Sequence, residues 1–302
     1  MTDMTVSVAG VTMKNPLVAV SGSFGFGREY DEVFDISLLG GVSVKGLTLR
    51  PREGNPPPRV AETPAGCLNS VGLQNPGVEA FLRDELPFLR SKGVAVIANV
   101  SGGSPEEYGE MARLIGDAVE LLEVNISCPN LNAHGVNFAS SPESAAAVTE
   151  AVKKTARVPV SVKLSPNVTD IAPIARACQD AGADALSLIN TLVGMRIDTE
   201  TRRPVLRMNT GGLSGPAIFP VAVRCVWQAA AATGLPVIGM GGVSSGLDAA
   251  EMMMAGASAV GVGTVLFRDP YAPERILGDL NAWCEEHDVK RISELAGSVL
   301  AY

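Results

Sequence analysis

Eight short apolar segments recur along the chain, each followed by a polar or glycine-rich turn and then an amphipathic helical stretch, and this alternation constrains the fold most. The segments are PLVAVSG (16–22), GVSVKG (41–46), VAVIANV (94–100), LLEVNIS (121–127), PVSVKL (159–164), ALSLIN (185–190), PVIGMGG (236–242) and AVGVGT (259–264). Their length and their content of Val and Ile fit buried strands and are too short for helices. Ser104 with Glu107, and Ser141 with Glu143 and Ser144, stand where capping residues open two of the intervening helices. Strands that alternate with helices make parallel sheets, and eight of them in 302 residues favour a closed (β/α)8 barrel over an open sheet. The α/β class follows directly.

Segments outside this repeat have expected places of their own. TVSVAGVTMKN reads as an N-terminal β-hairpin turning at Ala9 and Gly10, placed to plug one end of the barrel. The stretch 291–302 reads as a terminal helix docked on the barrel. Residues 47–74, with the proline-rich RPREGNPPPRV inside, and residues 191–214 are too long to be simple links. Both follow strands, so both should rise from the C-terminal face as site walls or lids. No linker or change of composition breaks the chain, so 1–302 reads as a single domain.

Composition narrows the function classes. Hydrophobic residues make up 46% and charged residues 19%, which excludes disorder, and no apolar run is long enough to span a bilayer. MTDMTVSVAG has no basic stretch followed by an apolar core, so a cytoplasmic location is expected. Five cysteines without a CxxC pair give no disulfide, zinc or iron–sulfur framework. A net charge of −8 disfavours nucleic acid as a partner. GMGGVSSG (239–246) lacks GxGxxG spacing and comes at the seventh strand, so a dinucleotide fold is not indicated.

The strand ends carry the chemistry. Ser21 and Gly22 follow the first strand, Lys45 and Gly46 the second, Asn99 the third, and Asn125 and Cys128 the fourth. Lys163 follows the fifth, Asn190 and Thr191 the sixth, Gly241 and Gly242 the seventh, and Gly263 and Thr264 the eighth. Lysines and asparagines gathered in a barrel mouth must find partners, so a polar, anionic ligand is expected among them. The glycines at the last two strand ends would expose backbone N–H groups to a phosphate, unless they serve only close helix–strand packing. Glu123 and Asn125 interrupt an otherwise apolar strand, and such polar groups need a role. Cys128 lies just past that strand, before a proline that ends the ladder, where a sulfur can serve chemistry as well as packing. Cys178, Cys225 and Cys284 fall in helical patterns and read as core.

Taken together, NSVGLQNPG (69–77), ANVSG (98–102), NISCPN (125–130), VKLSPN (162–167), INT (189–191), GGLSGPAI (211–218), GMGGV (239–243) and GVGT (261–264) resemble the class 1 dihydroorotate dehydrogenases along nearly the whole chain. The resemblance implies an FMN-containing TIM barrel that oxidises dihydroorotate to orotate in pyrimidine synthesis. It implies FMN held by Ser21, Gly22, Lys45, Gly46, Asn99, Asn125, Lys163, Ile189, Gly215, Gly241, Gly242, Gly263 and Thr264. It implies substrate held by Lys45, Asn69, Ser70, Val71, Gly72, Leu73, Asn125, Asn190 and Thr191, with Cys128 as the general base and Lys163 beside the flavin edge that gains charge on reduction. The segment 131–140 that follows the base would close over substrate.

NSVGLQNPGVEAF, with Gln74 before Asn75 and Pro76, looks like the B-type members. That implies a homodimer core joined by an FAD and iron–sulfur subunit that passes electrons to NAD. The alternatives are a fumarate-linked A-type enzyme, another FMN barrel such as a dihydrouridine synthase, a Schiff-base aldolase using Lys163, and a silent phosphate-binding barrel.

Overall fold

The computed structural model describes residues 2–127, 137–300 and 302. Eight parallel strands close into a barrel: β1 Leu17–Ala19, β2 Gly41–Ser43, β3 Ala95–Val100, β4 Leu121–Asn125, β5 Val160–Lys163, β6 Ala185–Leu188, β7 Val237–Met240 and β8 Ala259–Val262. Each pairs with its neighbours in sequence, and β8 closes on β1. All eight lie inside the segments expected from the apolar pattern. Ser21, Gly22, Lys45, Gly46, Asn190, Thr191, Gly241, Gly242, Gly263 and Thr264 lie beyond the strands as expected, whereas Asn99, Asn125 and Lys163 belong to the strands and pair within the ladders, because their side chains turn inward.

The helices of the barrel begin where local capping permits. Ser104 accepts from the Glu107 N–H at 3.4 Å, and Glu107 reaches back to the Gly103 N–H at 2.6 Å, opening the helix Pro105–Ile115. Ser141 accepts from Ser144 N–H at 3.3 Å and opens Pro142–Lys153. Their apolar faces pack on the strands, where the side chains of β3, β4 and β5 are buried almost throughout.

The barrel interior is divided by chemistry. Side chains two apart on a strand share a face, and in-register neighbours share it too. Asn99, Glu123 and Ser161 therefore form one inward row, and Asn125, Lys163 and Ser187 the next. The opposite wall carries Val18, Ile238, Met240, Ala259 and Gly261 in register. One half of the interior is polar and the other apolar.

Two short strands, Val6–Val8 and Val11–Met13, form the N-terminal hairpin, and Ala9 and Gly10 turn through left-handed conformations between them. The two long connections meet over the mouth. Val60–Thr63 and Gly66–Asn69 from the first, and Leu192–Gly194 and Gly211–Ser214 from the second, build one antiparallel four-stranded sheet. Gly212 pairs with Asn69 across the two connections, so each wall supports the other.

The expected terminal helix over 291–302 is not formed. Among the described residues of this stretch, only Ile292–Leu295 is helical, as a single 3-10 turn. Gly297 then enters the left-handed region at φ 72°, and the N–H groups of Gly297 and Val299 bond the carbonyls of Met253 and Met254 at 3.0 and 3.2 Å. The Met254 carbonyl ends the helix Gly246–Met254 and takes its donor from Val299, and the Met253 carbonyl, already bonded by the Gly256 N–H at 2.8 Å, accepts from Gly297 as well, so the tail's N–H groups are drawn away from a helix of their own.

Candidate functional site

A cavity of about 1140 Å³ opens at the C-terminal ends of the strands, under the four-stranded sheet. It exceeds the usual 300–1,000 Å³ of a single small-molecule site, leaving room for two ligands side by side. Its floor and walls include Ser21, Gly22, Lys45, Gly46, Asn125, Lys163, Ile189, Asn190, Thr191, Gly215, Gly241, Gly242, Gly263 and Thr264. Asn69, Val71, Gly72 and Leu73 reach it from the first long connection. Residues scattered over most of the chain thus share one space, because every strand in a parallel barrel delivers its C-terminal residue to the same face.

Two expected site residues stand apart from that lining. Asn99 has no exposed surface and lies one layer below, and Ser70 is buried within its loop. Cys128, the expected base, and residues 131–136 of the expected closing segment lie outside the described residues. Phe138, just beyond, is buried edge-on against Tyr108.

A chain of amides links the core to the cavity. Asn99 donates to the Glu123 carboxylate and accepts at its own oxygen from Asn125 Nδ2 at 3.3 Å. Asn125 Oδ1 accepts from the Ser127 hydroxyl at 3.1 Å and from Asn190 Nδ2 at 3.4 Å. Asn190 Nδ2 also reaches Ser127 Oγ at 2.9 Å, and its oxygen receives the Thr191 N–H at 2.8 Å. The carboxylate can only accept, so Asn99 must present its NH₂ to it. That choice fixes the direction of each amide up to the cavity.

Glu123 also accepts from the Ser43 hydroxyl at 2.8 Å and faces the Lys163 ammonium at 3.6 Å. Burial pushes its carboxyl up, but the Lys163 charge and donation from Asn99 and Ser43 outweigh burial and hold it below the ordinary carboxylate range. The Ser187 hydroxyl is near enough to favour the anion too, yet Ser187 Oγ and Glu123 Oε1 close no hydrogen bond, and Ser161 Oγ is likewise unpartnered.

The loop walls are pinned by their own asparagines. Asn75 Oδ1 accepts from the N–H groups of Thr48 and Gly77 at 3.1 and 2.8 Å, and its NH₂ donates to the Leu73 carbonyl at 2.7 Å. Leu73 is thereby held at φ 59°, a conformation rare for a branched side chain. Asn167 donates to the Thr191 carbonyl and accepts from the Val193 N–H, both at 2.9 Å, fixing the start of the second connection.

The glycines divide by role. A Cβ on Gly242 would meet the Gly215 carbonyl and Phe219 at 2.8 Å, and one on Gly241 would meet Ala222 and Ile189 at 3.0 Å, so both glycines serve close packing. Gly22, at φ 97°, would place a Cβ in open space on the cavity rim. Both roles operate in one mouth.

The protein-family model described as dihydroorotate dehydrogenase matches residues 3–283. The chain belongs to the dihydroorotate dehydrogenase family. Among its relatives, the "Dihydroorotate dehydrogenase B (NAD(+)), catalytic subunit" of Citrifermentans bemidjiense is 52% identical over 299 residues, covering 98% of each chain. The protein of the same description from Anoxybacillus flavithermus is also 52% identical, over 98% of this chain and 96% of its own. A crystal structure of the Eimeria tenella dihydroorotate dehydrogenase in complex with ferulenol superposes with a TM-score of 0.83 at 21% identity, over 98% of this chain and 88% of that one. At that identity the likeness speaks to fold, and the fold it shares is the eight-stranded barrel of this family member.

Sequence reasoning did not find several lining residues, among them Val20, Thr63, Cys67, Met240 and Ser244. Cys67 is brought in by pairing of the two long connections, a contact without a local signal, and Thr63 by the hairpin inside the first of them. Glu123 was conspicuous as a charge in an apolar strand, but its partners were not readable.

Proposed function

We propose that this chain oxidises dihydroorotate to orotate in pyrimidine synthesis, as the FMN-carrying catalytic subunit of a B-type enzyme. Its electrons would leave through an FAD and iron–sulfur partner subunit to NAD, the chain would form a homodimer core within that assembly, and 1–302 would act as one domain. The observation that carries the reading is the convergence of Lys45, Asn69, Asn125, Asn190 and Thr191 with a glycine rim in one large cavity. Near full-length identity to relatives described as B-type catalytic subunits supports it.

The residues present fit FMN. The cavity has room for more than one small ligand, Gly22 leaves open space at its rim, and Thr264 and Ser214 hydroxyls meet at 2.8 Å near the glycine-rich strand ends, where a phosphate would find donors. Ser21, Gly22, Lys45, Gly46, Asn125, Lys163, Ile189, Gly215, Gly241, Gly242, Gly263 and Thr264 would hold the group, with Asn99 supporting from beneath. When bound, FMN supplies the two-electron acceptor for the hydride that leaves C6 of dihydroorotate.

The chain's own residues do the rest. Asn69, Asn125 and Asn190 offer donors and acceptors to the amide and carbonyl groups of substrate, and the Lys45 ammonium suits its carboxylate. Amides already oriented from below need no rearrangement when substrate arrives. Cys128, as thiolate, takes the proton from C5 and later releases it to solvent. Lys163 holds a positive charge at the cavity floor, where negative charge grows during the reaction.

The test is turnover of dihydroorotate by the FMN-loaded chain with an artificial dye. The isolated chain should reduce the dye and not NAD, and Cys128→Ala should keep FMN while flavin reduction slows about 10²–10⁴-fold. No dihydroorotate-dependent reduction would overturn the reading. Robust fumarate-supported turnover by the isolated chain would remove its NAD-linked part.

A further inference from the structure

Glu123 lines no part of the cavity, yet it is fully buried and carries a charge. A packed barrel interior has no need of a carboxylate, because an ion pair in such a place is at best weakly stabilising compared with apolar side chains. Its contacts are one-sided. Ser43, Asn99 and Lys163 all meet Oε2, while Oε1 has no hydrogen-bond partner. Hydrogen bonds alone therefore leave the anion incompletely compensated, and the Lys163 charge supplies the balance.

Lys163 occupies the boundary between the two layers. It is 5% exposed, lines the cavity, and stands 3.6 Å from Glu123, beyond a tight hydrogen bond. Its ammonium is thus tethered from below by charge while keeping donors for the cavity side. A group bound above it experiences the lysine and the carboxylate together, and the carboxylate offsets part of the lysine's field.

We infer that Glu123 is a positioning residue, which pins Lys163 at the cavity floor and tempers its charge. The electron affinity of the FMN proposed above is then set by the pair and not by the lysine alone. This inference rests on that functional reading.

The experiment is the midpoint potential of bound FMN at one fixed pH, by dye-coupled reductive titration, in wild type, Glu123→Gln, Lys163→Met and the double variant. Removing a buried negative charge favours gain of electrons, so Glu123→Gln should shift the potential upward. Lys163→Met should shift it downward. The double variant should fall below wild type and above Lys163→Met, since it lacks both charges. A merely structural carboxylate would alter the melting temperature and leave the potential unmoved.

An E123Q potential equal to or below that of wild type, with FMN bound in both, overturns the inference alone. If E123Q does not fold, the comparison of the double variant with Lys163→Met decides, made at pH 6 and again at pH 9 because loss of the Lys163 charge lets burial push the Glu123 carboxyl up, and potentials equal at both pH values overturn it. A wild-type chain that takes up no FMN overturns the functional reading as well.

Discussion

Lys163 and Glu123 face each other across 3.6 Å inside the barrel, on adjacent strands and almost wholly removed from water. Cutting such a pair on one side leaves a buried charge uncompensated. Lys163→Met should lower stability by about 3–5 kcal/mol in urea unfolding, and adding Glu123→Gln should recover a large part of that loss. Independent, additive losses would show that the two groups are not coupled.

Acid should find the same carboxylate. Its folded pKa lies below the ordinary value of 4.5, so the stability it contributes is present above that value and lost as pH falls through the folded pKa. Unfolding midpoints taken from pH 6 down to pH 3 should fall less steeply in Glu123→Gln than in wild type. Asp3, Asp35, Asp84 and Asp198 also have lowered values, but they sit in solvent and contribute little. Parallel curves for the two proteins would place the acid-labile group elsewhere.

Thiol chemistry separates the cysteines. Burial raises the thiols of Cys67, Cys225 and Cys284 and pushes Cys178 up to about 12, so these four hold little thiolate at neutral pH. Alkylation of the native protein near pH 7.5 should therefore modify Cys128 first, with peptide mapping as the readout and Cys128→Ala as the blank. Rapid labelling at Cys67, which lines the cavity, would contradict this ordering.

Asn190 joins Ser127 and Asn125 at the cavity wall, so its loss removes a substrate partner and loosens the amide below it. Asn190→Ala should raise the KM for dihydroorotate by about tenfold or more, the effect of one or two lost hydrogen bonds of roughly 1–1.5 kcal/mol each. Dye-linked steady-state kinetics measures it. An unchanged KM would remove Asn190 from the substrate side of the site.

The rim glycine offers a separate check. Gly22→Val would fill open space at the cavity edge and force a β-branched residue to φ 97°. FMN content after purification should drop sharply, while far-UV circular dichroism keeps its α/β form. Full flavin occupancy would mean that this edge of the cavity stays empty when the group binds.

The sequence by itself determined the barrel, its order and the face on which the site lies. Apolar runs such as VSVK and ALSL, closed by Asn, Gly or Lys, are local signals, and a parallel barrel converts each strand end into a position on one rim. Capping serines at 104 and 141 were legible for the same reason, since their partners are three residues away. Tertiary structure decided what lies far apart in sequence. It paired Gly212 with Asn69 to build the roof, set Glu123 under Lys163, and moved Asn99 one layer below the cavity. It also bound the tail's N–H groups to Met253 and Met254 in place of the expected helix. Local propensity specifies what a segment can become, whereas buried charges, orphan carbonyls and edge strands take their partners only from whatever the closed barrel brings within reach.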